Sequence, residues 1–423
     1  MKKVGVAILG LGVVGGGTAR ILIDRKERIK EEYGVEANIV AVLDKFPERV
    51  TNLGLSLDIL ATSIDDICNN PTVDIVVECM GGLEPAKTFL TKALEAGKSI
   101  VTSNKEMFAK SWPDLEKAAQ KTGAGLYYEA TTGGGMPIIR TMTTAMQANN
   151  ILEIKAIING TTNYILTRMT EENADYATVL KDAQALGFAE RNPVADVEGY
   201  DSSYKLSILS TLAFNKRVPA DVIFREGITN ITADDIKLGK EMGYIVKLLA
   251  IAKQINGKIE ARVHPVFLPK GHPLASVSNS FNAVFVTGDA VGDIMTYGRG
   301  AGALPTGSAI VSDIIYCARQ VEHARYSEIF TEITEDELIK NFESEYYVRL
   351  TVHDVPGVLA DITNVLKKYN ISISQIKQDK NNDIIPITFV TQKAHEFDMM
   401  NAVKDIEKLD NIIKVENVIR VEE

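Results

Sequence analysis

The 423-residue chain is poor in cysteine. It has three, Cys68, Cys79 and Cys317. The number is odd and the spacing fits neither a metal site nor a redox pair, so a disulfide framework and a cysteine metal centre are excluded. They suit a reducing, cytoplasmic setting as buried packing residues. No apolar run is long enough to cross a bilayer, which argues against a membrane protein. Positive charge is in deficit, with 46 Lys and Arg against 56 Asp and Glu. The net charge of −10 argues against nucleic acid as the main partner. Histidine is scarce as well. His264, His272, His323, His353 and His395 all lie outside the segments that carry chemistry below, so a histidine catalyst is set aside. What remains, 45% hydrophobic and 24% charged residues, is ordinary for globular protein, at a length of two or three domains.

The N-terminus, MKKVGVAILGLGVVGGG, has the look of a signal peptide. Its apolar run is broken by glycines, however, and a long charged helix follows from Arg20 to Glu32. It reads as a strand and turn. Strand candidates Val4–Leu9, Ile39–Leu43, Ile75–Val77, Ser99–Thr102 and Gly125–Tyr128 alternate with helices such as Glu84–Ala96 and Asn104–Lys121. Such alternation predicts a doubly wound parallel sheet covered on both faces over residues 1–135. Residues 136–325 mix strands, among them Ile151–Ile157 and Ala283–Thr287, with several helices, an α+β pattern. A charged stretch from Glu328 to Glu345 leads to a third unit over 346–423. Its order βαββαβ is the ferredoxin-like split βαβ arrangement.

Gly10-Leu11-Gly12-Val13-Val14-Gly15 follows a strand and opens a helix, the context that makes GxGxxG a dinucleotide fingerprint. Gly10 allows the tight turn, Gly12 the approach of a pyrophosphate, and Gly15 close packing of helix on strand. Asp44 ends the second strand, where a carboxylate accepts hydrogen bonds from ribose hydroxyls and favours NAD. Lys45 and Arg49 close by suit a 2′-phosphate instead, so NAD and NADP both stay open. Ser103 and Lys105 follow another strand end, the side on which ligands bind in such sheets.

The stretch Gly187–Lys205 carries three acids, Glu190, Asp196 and Asp201, leading to one lysine. Asp201 and Lys205 are four apart and share a helical face that continues as Ile208, Leu209 and Leu212. A lysine on an apolar face is costly unless paired, and burial favours the neutral amine that a general base needs. The same spacing suits a salt-bridged structural lysine.

Together these segments resemble the homoserine dehydrogenase family, in its long form with a C-terminal ACT domain. The resemblance covers nearly the whole chain. It rests on Gly10–Gly15, Thr102–Glu106, Tyr128–Pro137, Asn159–Tyr164, Gly187–Lys205, Gly298–Ser308 and His353–Leu359. Asn159–Tyr164 and Gly187–Lys205 are specific; GxGxxG and the ACT pattern are shared by many proteins. The resemblance implies NAD- or NADP-dependent interconversion of L-homoserine and L-aspartate 4-semialdehyde, in threonine, methionine and isoleucine biosynthesis. It implies Lys205 as acid/base beside Lys105 and Asp201, and Glu190, Asp196 and Asp201 as substrate ligands. Gly187 and Gly302 would line the nicotinamide side. Glu129 and the carbonyls of Thr132, Gly134 and Met136 would hold a monovalent cation, sodium or potassium, for which all-oxygen ligands are suited. Thr132 stands where a valine is more usual, which a carbonyl ligand tolerates. The same glycines also suit a hinge. The ACT turn, with Asp354, Gly357 and Val358, would take an amino-acid effector, L-threonine being the natural one, or serve only to dimerise. A homodimer or homotetramer is expected. Two other readings are a dehydrogenase of the same plan with another substrate, and a silent amino-acid sensor; the complete set Lys105, Glu190, Asp201 and Lys205 speaks against the sensor.

Overall fold

The structure, a computed structural model, describes residues 1–320, 330–378 and 383–422. His323, the expected domain end at 325 and the start of the charged stretch at Glu328 lie outside these. Two compact units are present. One comprises Met1–Gly160, Asp201–Ile223 and Phe281–Ile333, the other Thr161–Tyr200, Phe224–Ser280 and Thr334–Glu423.

In the first unit β1 (Lys2–Leu9), β2 (Val35–Leu43), β3 (Ile75–Glu78), β4 (Ser99–Thr102) and β5 (Leu126–Tyr127) form a wholly parallel sheet in the order β2-β1-β3-β4-β5. Every residue from Val4 to Leu9 is buried, as expected of a central strand covered on both faces. The chain runs outward from β1 on one side to β2 and on the other to β3. The switch point therefore lies between β1 and β3, and the crevice off their C-terminal ends is where doubly wound sheets bind ligands. Antiparallel strands Ile151–Ile157, Phe281–Gly288 and Gly292–Arg299 add the α+β part of this unit.

Three expectations change. The charged helix from Arg20 to Glu32 is two helices, Val13–Asp24 and Lys26–Tyr33, because Arg25 leaves helical geometry at φ −111° and turns Ile29 into the core. Of the three free cysteines only Cys317 is fully buried; Cys68 and Cys79 are half-buried. The lysine helix, Tyr200–Phe214, is buried almost all round rather than along one face. Ser210 Oγ donates to Leu206 O (2.7 Å) and Thr211 Oγ1 to Ser207 O (2.6 Å), so these two hydroxyls are satisfied by their own helix, while Ser207 Oγ donates to Val218 O (2.6 Å) just beyond it.

In the second unit the strands Tyr244–Ile255 and Lys258–Pro269 pair antiparallel. The C-terminal βαββαβ module consists of Glu343–His353, Val358–Lys368, Ile373–Gln378, Ile384–Thr391, Glu396–Ile406 and Ile412–Val421. Its sheet runs last, first, third, second, the ferredoxin-like order. Leu350, Ile362, Phe389 and Met399 lie in its core. Its last strand continues in parallel onto Lys258–Pro269 through Arg420 opposite Val266 and Val421 opposite Phe267. Among the described residues no helix is long and apolar enough to cross a membrane.

Candidate active site

Gly10 sits at φ +87°, open to glycine but strained for other residues, and its N–H donates to Leu43 O (2.9 Å). A Cβ on Gly15 would lie 1.9 Å from Gly10 O, so the helix can approach the turn only without a side chain there. Gly12 is the N-cap of Val13–Asp24 and has no side-chain cap; a Cβ on it would meet nothing within 4 Å. The helix start is thus open ground for a pyrophosphate. Leu11 is buried, Val14 half-buried and Val13 exposed. The Asp44 carboxylate accepts the N–H groups of Leu11 (2.5 Å) and Phe46 (2.8 Å), and Arg49 lies 3.3 Å away with its guanidinium over the Phe46 ring. Asp44 and Arg49 are therefore paired with each other.

Glu78, which sequence reasoning missed, ends β3 at the switch point and is fully buried. Its carboxylate accepts Met80 N–H (2.7 Å), Gly81 N–H (3.0 Å) and Thr102 Oγ1–H (2.7 Å). Burial pushes its pKa up. Asn104 caps Lys105–Thr122 by accepting Met107 N–H (3.1 Å), and its amide donates to Gly82 O (2.7 Å). This network fixes the loop that presents Ser103 and Lys105. Ser103 is hydrogen-bonded to the Cys79 thiol, whose pKa burial raises.

Lys105, Asp201 and Lys205 come together. Lys205 Nζ donates to Asp201 Oδ2 (2.6 Å) and to Ile158 O (2.7 Å). Lys105 Nζ is 3.3 Å from Asp201 Oδ1, and Asn159 Nδ2 donates to Asp201 Oδ2 (2.9 Å). Asp201 and Lys205 are each 8% exposed, while the Lys105 side chain is 42% exposed. Burial works to raise the Asp201 pKa. The charges of Lys205 and Lys105 and the hydrogen bonds from Lys205 and Asn159 outweigh it and hold the carboxyl well below the usual range. Because the folded value is depressed, the stability this pairing adds is present above the ordinary carboxylate pKa. It is lost only as pH falls through the folded value. Asp201 is an anion at any pH where the enzyme would work.

Glu129, buried, accepts the N–H groups of Ile139 (2.8 Å) and Arg140 (2.9 Å). Asp313 accepts Glu129 N–H (2.9 Å) and Arg140 Nη2–H (2.5 Å). Burial, and for Glu129 the neighbouring Asp313, push these carboxyls up to about 7 and about 6. Two buried carboxylates face one guanidinium. Nearby, the Thr132 hydroxyl is buried without a hydrogen-bond partner. Met136 O accepts Ile138 N–H (2.8 Å), and Gly134, at φ +55°, lies against Gly300, where a Cβ would be 2.3 Å from the carbonyl oxygen. The loop carrying Gly134 is thereby packed on the loop that leads to Gly302, itself at φ +128° before the helix Ala303–Gln320. Surplus negative charge and a spare buried oxygen fit a monovalent cation.

Within the second unit, Gly187 (φ +77°) ends the helix Tyr176–Ala185. Thr161 Oγ1 donates to Phe188 O (2.7 Å), Phe188 stacks on Tyr164 at 4.6 Å, and Gln184 Nε2 donates to Glu190 O (3.0 Å). Thr161 and Tyr164 of the Asn159–Tyr164 motif thus pin the segment carrying Glu190, whose side chain is exposed. Asp196 is half-buried in the short helix Val194–Val197. Asn163 accepts Lys247 Nζ–H (3.2 Å); burial lowers that lysine to about 8. Gly357 (φ +100°) caps the helix Val358–Lys368, Asp354 beside it is exposed, and Val358 is buried.

Known proteins resemble this chain over its whole length. Three family models match: "Homoserine dehydrogenase, NAD binding domain" over residues 10–129, "Homoserine dehydrogenase" over 137–315 and "ACT domain" over 346–408. Homoserine dehydrogenase of Bacillus subtilis is 36% identical over 428 residues, covering 100% of this chain and 99% of that protein. The Mycobacterium tuberculosis enzyme is 38% identical over 441 residues, with 100% and 98% covered. The crystal structure of a homoserine dehydrogenase from Thiobacillus denitrificans superposes with a TM-score of 0.92 at 38% identity, covering 100% of this chain and 99% of that one. A hyperthermophilic archaeal homoserine dehydrogenase in complex with NADPH gives 0.63 at 27% identity over 75% of this chain and 98% of that one. The chain belongs to the homoserine dehydrogenase family, as an oxidoreductase with an NAD(P)-binding domain and a C-terminal ACT domain.

Proposed function

We propose that the protein interconverts L-homoserine and L-aspartate 4-semialdehyde with NAD or NADP, in the biosynthesis of threonine, methionine and isoleucine in the cytoplasm. Residues 1–135 hold the dinucleotide, 136–325 the substrate and the dimer contact, and 346–423 regulate. The observation that carries the reading is the buried cluster of Lys205, Asp201, Asn159 and Ile158 O with Lys105 beside it. The bound dinucleotide supplies the hydride acceptor. Lys205 Nζ takes the proton from the alcohol oxygen as the carbonyl forms, and returns it in the reverse direction. Two N–H groups of the neutral amine point at Asp201 and Ile158 O, which leaves the remaining tetrahedral direction for the exchanged proton. Asp201 holds the amine in that orientation and stabilises the ammonium once formed. Lys105, half-exposed, binds the substrate carboxylate, and Glu190 and Asp196, with Asp201, favour its ammonium group. Oxidation of homoserine requires neutral Lys205, so its rate rises toward alkaline pH. Asp201 is already ionised throughout that range. A rate flat from acidic to alkaline pH would remove Lys205 as the base.

Cofactor choice rests on the Asp44–Arg49 pair. Asp44 repels a 2′-phosphate and Arg49 attracts one. Asp44→Ala is expected to raise the ratio of kcat/KM for NADP over NAD about tenfold, roughly 1.4 kcal/mol of discrimination. An unchanged ratio would place the choice elsewhere.

The loop from Glu129 to Met136 holds sodium or potassium through Glu129 and the carbonyls of Thr132, Gly134 and Met136. Melting in potassium or sodium chloride is expected to lie about 2–4 °C above melting in tetramethylammonium chloride at equal ionic strength. Equal melting points would leave the loop a hinge. L-threonine, held at the ACT turn by Asp354, Gly357 and Val358, is the proposed effector. The edge strand Gly292–Arg299, which exposes Met295 and Tyr297, supports assembly into a homodimer or homotetramer.

A further inference from the structure

In the first unit the helices Val13–Asp24 and Ala303–Gln320 touch near their N-terminal ends. There a Cβ on Gly17 would lie 2.3 Å from Ala303 O, and one on Gly307 2.9 Å from Thr18 N. Beyond this contact, larger side chains hold open a cavity of about 280 Å³. Ser308, Ser312, Tyr316 and Arg319 recur on one helical face and form one wall. Arg25, Arg28 and Tyr33 reach in from the other side, and Arg140 closes a third. Four guanidiniums line the cavity and no carboxylate does, in a chain of net charge −10. Two of the four are already engaged: Arg28 with Glu32 (2.9 Å) and Arg140 with Asp313 (2.5 Å). Arg25 and Arg319 enter no ion pair among the described residues. The Val13–Asp24 helix rises about 1.5 Å per residue over its 12 residues, so Arg25 lies on the order of 18 Å from the dinucleotide turn. This cluster therefore plays no part in holding the cofactor phosphates.

We propose that this cavity binds a compact polyanion, a molecule with two or more phosphate or carboxylate groups, at a site separate from the dinucleotide turn. The planar fork of arginine matches either group with paired hydrogen bonds, and the serine and tyrosine hydroxyls add donors. The volume lies just under the usual range for drug-sized ligands, roughly 300–1,000 Å³, which restricts the ligand to a small one.

The test is calorimetric titration of the full-length protein with tripolyphosphate and, separately, with citrate. It is repeated on Arg25→Gln/Arg319→Gln and on the charge-matched Lys258→Gln/Lys404→Gln, both of whose lysines are exposed elsewhere. The expected result is binding of tripolyphosphate by the parent, weakened about tenfold or more by the arginine pair and much less by the lysine pair. NADPH binding, followed by fluorescence, should be the same in all three proteins. Equal binding of citrate assigns the site to polyanions in general, and tripolyphosphate alone assigns it to phosphates. No binding by the parent, or equal loss in the two double variants, would overturn the proposal.

Discussion

Replacing Lys205 with Met is expected to lower kcat about 10²–10⁴-fold in both directions while leaving dinucleotide affinity within about twofold. Methionine keeps the length and packing of the side chain but cannot carry a proton. The amine makes two hydrogen bonds, to Asp201 and Ile158 O, at 2.6 and 2.7 Å, so its position is set by the fold and not by the substrate. Asp201→Asn separates this role from mere charge pairing. The asparagine still accepts from Lys205, yet removes the negative charge that favours the ammonium form. Its rate of homoserine oxidation should begin to rise at lower pH than the parent's, with a smaller loss of kcat than Lys205→Met. If Lys205→Met instead turned over at near the parent rate, the lysine would be a structural ion pair.

Replacing Arg262 with Met is expected to destabilise the protein by about 3–5 kcal/mol, read from the urea midpoint. Arg262 is fully buried in the strand Lys258–Pro269. It pairs with Glu260 (2.7 Å) and Glu422, approaches His264 Nε2 (2.6 Å), and lies over the Phe342 ring. Next to it Arg420, also buried, pairs with Glu396 and Glu226, and Tyr346 donates to Glu396 (2.9 Å). Burial and the charges of Arg262 and Arg420 depress the His264 pKa well below its ordinary value, so the histidine is neutral and adds no positive charge. Removing Arg262 takes the counter-charge from buried Glu260 and leaves Glu422 with the more distant Lys253 at 3.3 Å, and an uncompensated buried charge is the expensive case. The double variant Arg262→Met/Glu422→Gln should recover part of the loss, because it removes one of the stranded carboxylates. A single-variant loss below about 1 kcal/mol would mean that water reaches the cluster. Glu422 and Arg420 belong to the last strand of the ACT module and its continuation. The cluster therefore fastens that module to the strand beside it, along with Arg349 on Asp235 at 2.6 Å.

The sequence made some of this legible and not the rest, for identifiable reasons. Glycines at 10, 12 and 15 between an apolar run and a helix have few uses, and the turn is where the motif put it. Ser99–Thr102 and Ile151–Ile157 match their strands end to end, since each is a short stretch with several β-branched residues bounded by turn residues. The face of the lysine helix was misjudged. Hydroxyls that bond to their own helix are buried as readily as leucine, and periodicity counts them as polar. Glu78 carried a signal that went unused, an acid directly after a buried strand, at the end where ligands bind. Glu260, Arg262 and His264 alternate along their strand and read as a solvent face; Phe224, Phe342 and the end of the chain, arriving from about 160 residues later, cover them. Asp313 meets Glu129 across 184 positions, and nothing local marks it.

The central claim is best tested by following the absorbance of reduced nicotinamide on mixing the protein with L-homoserine and either NAD or NADP at alkaline pH, with and without L-threonine. The account predicts a rise that depends on homoserine, is larger with one dinucleotide than the other, and is slowed by threonine. No rise with either dinucleotide, in protein shown to be folded, would contradict it.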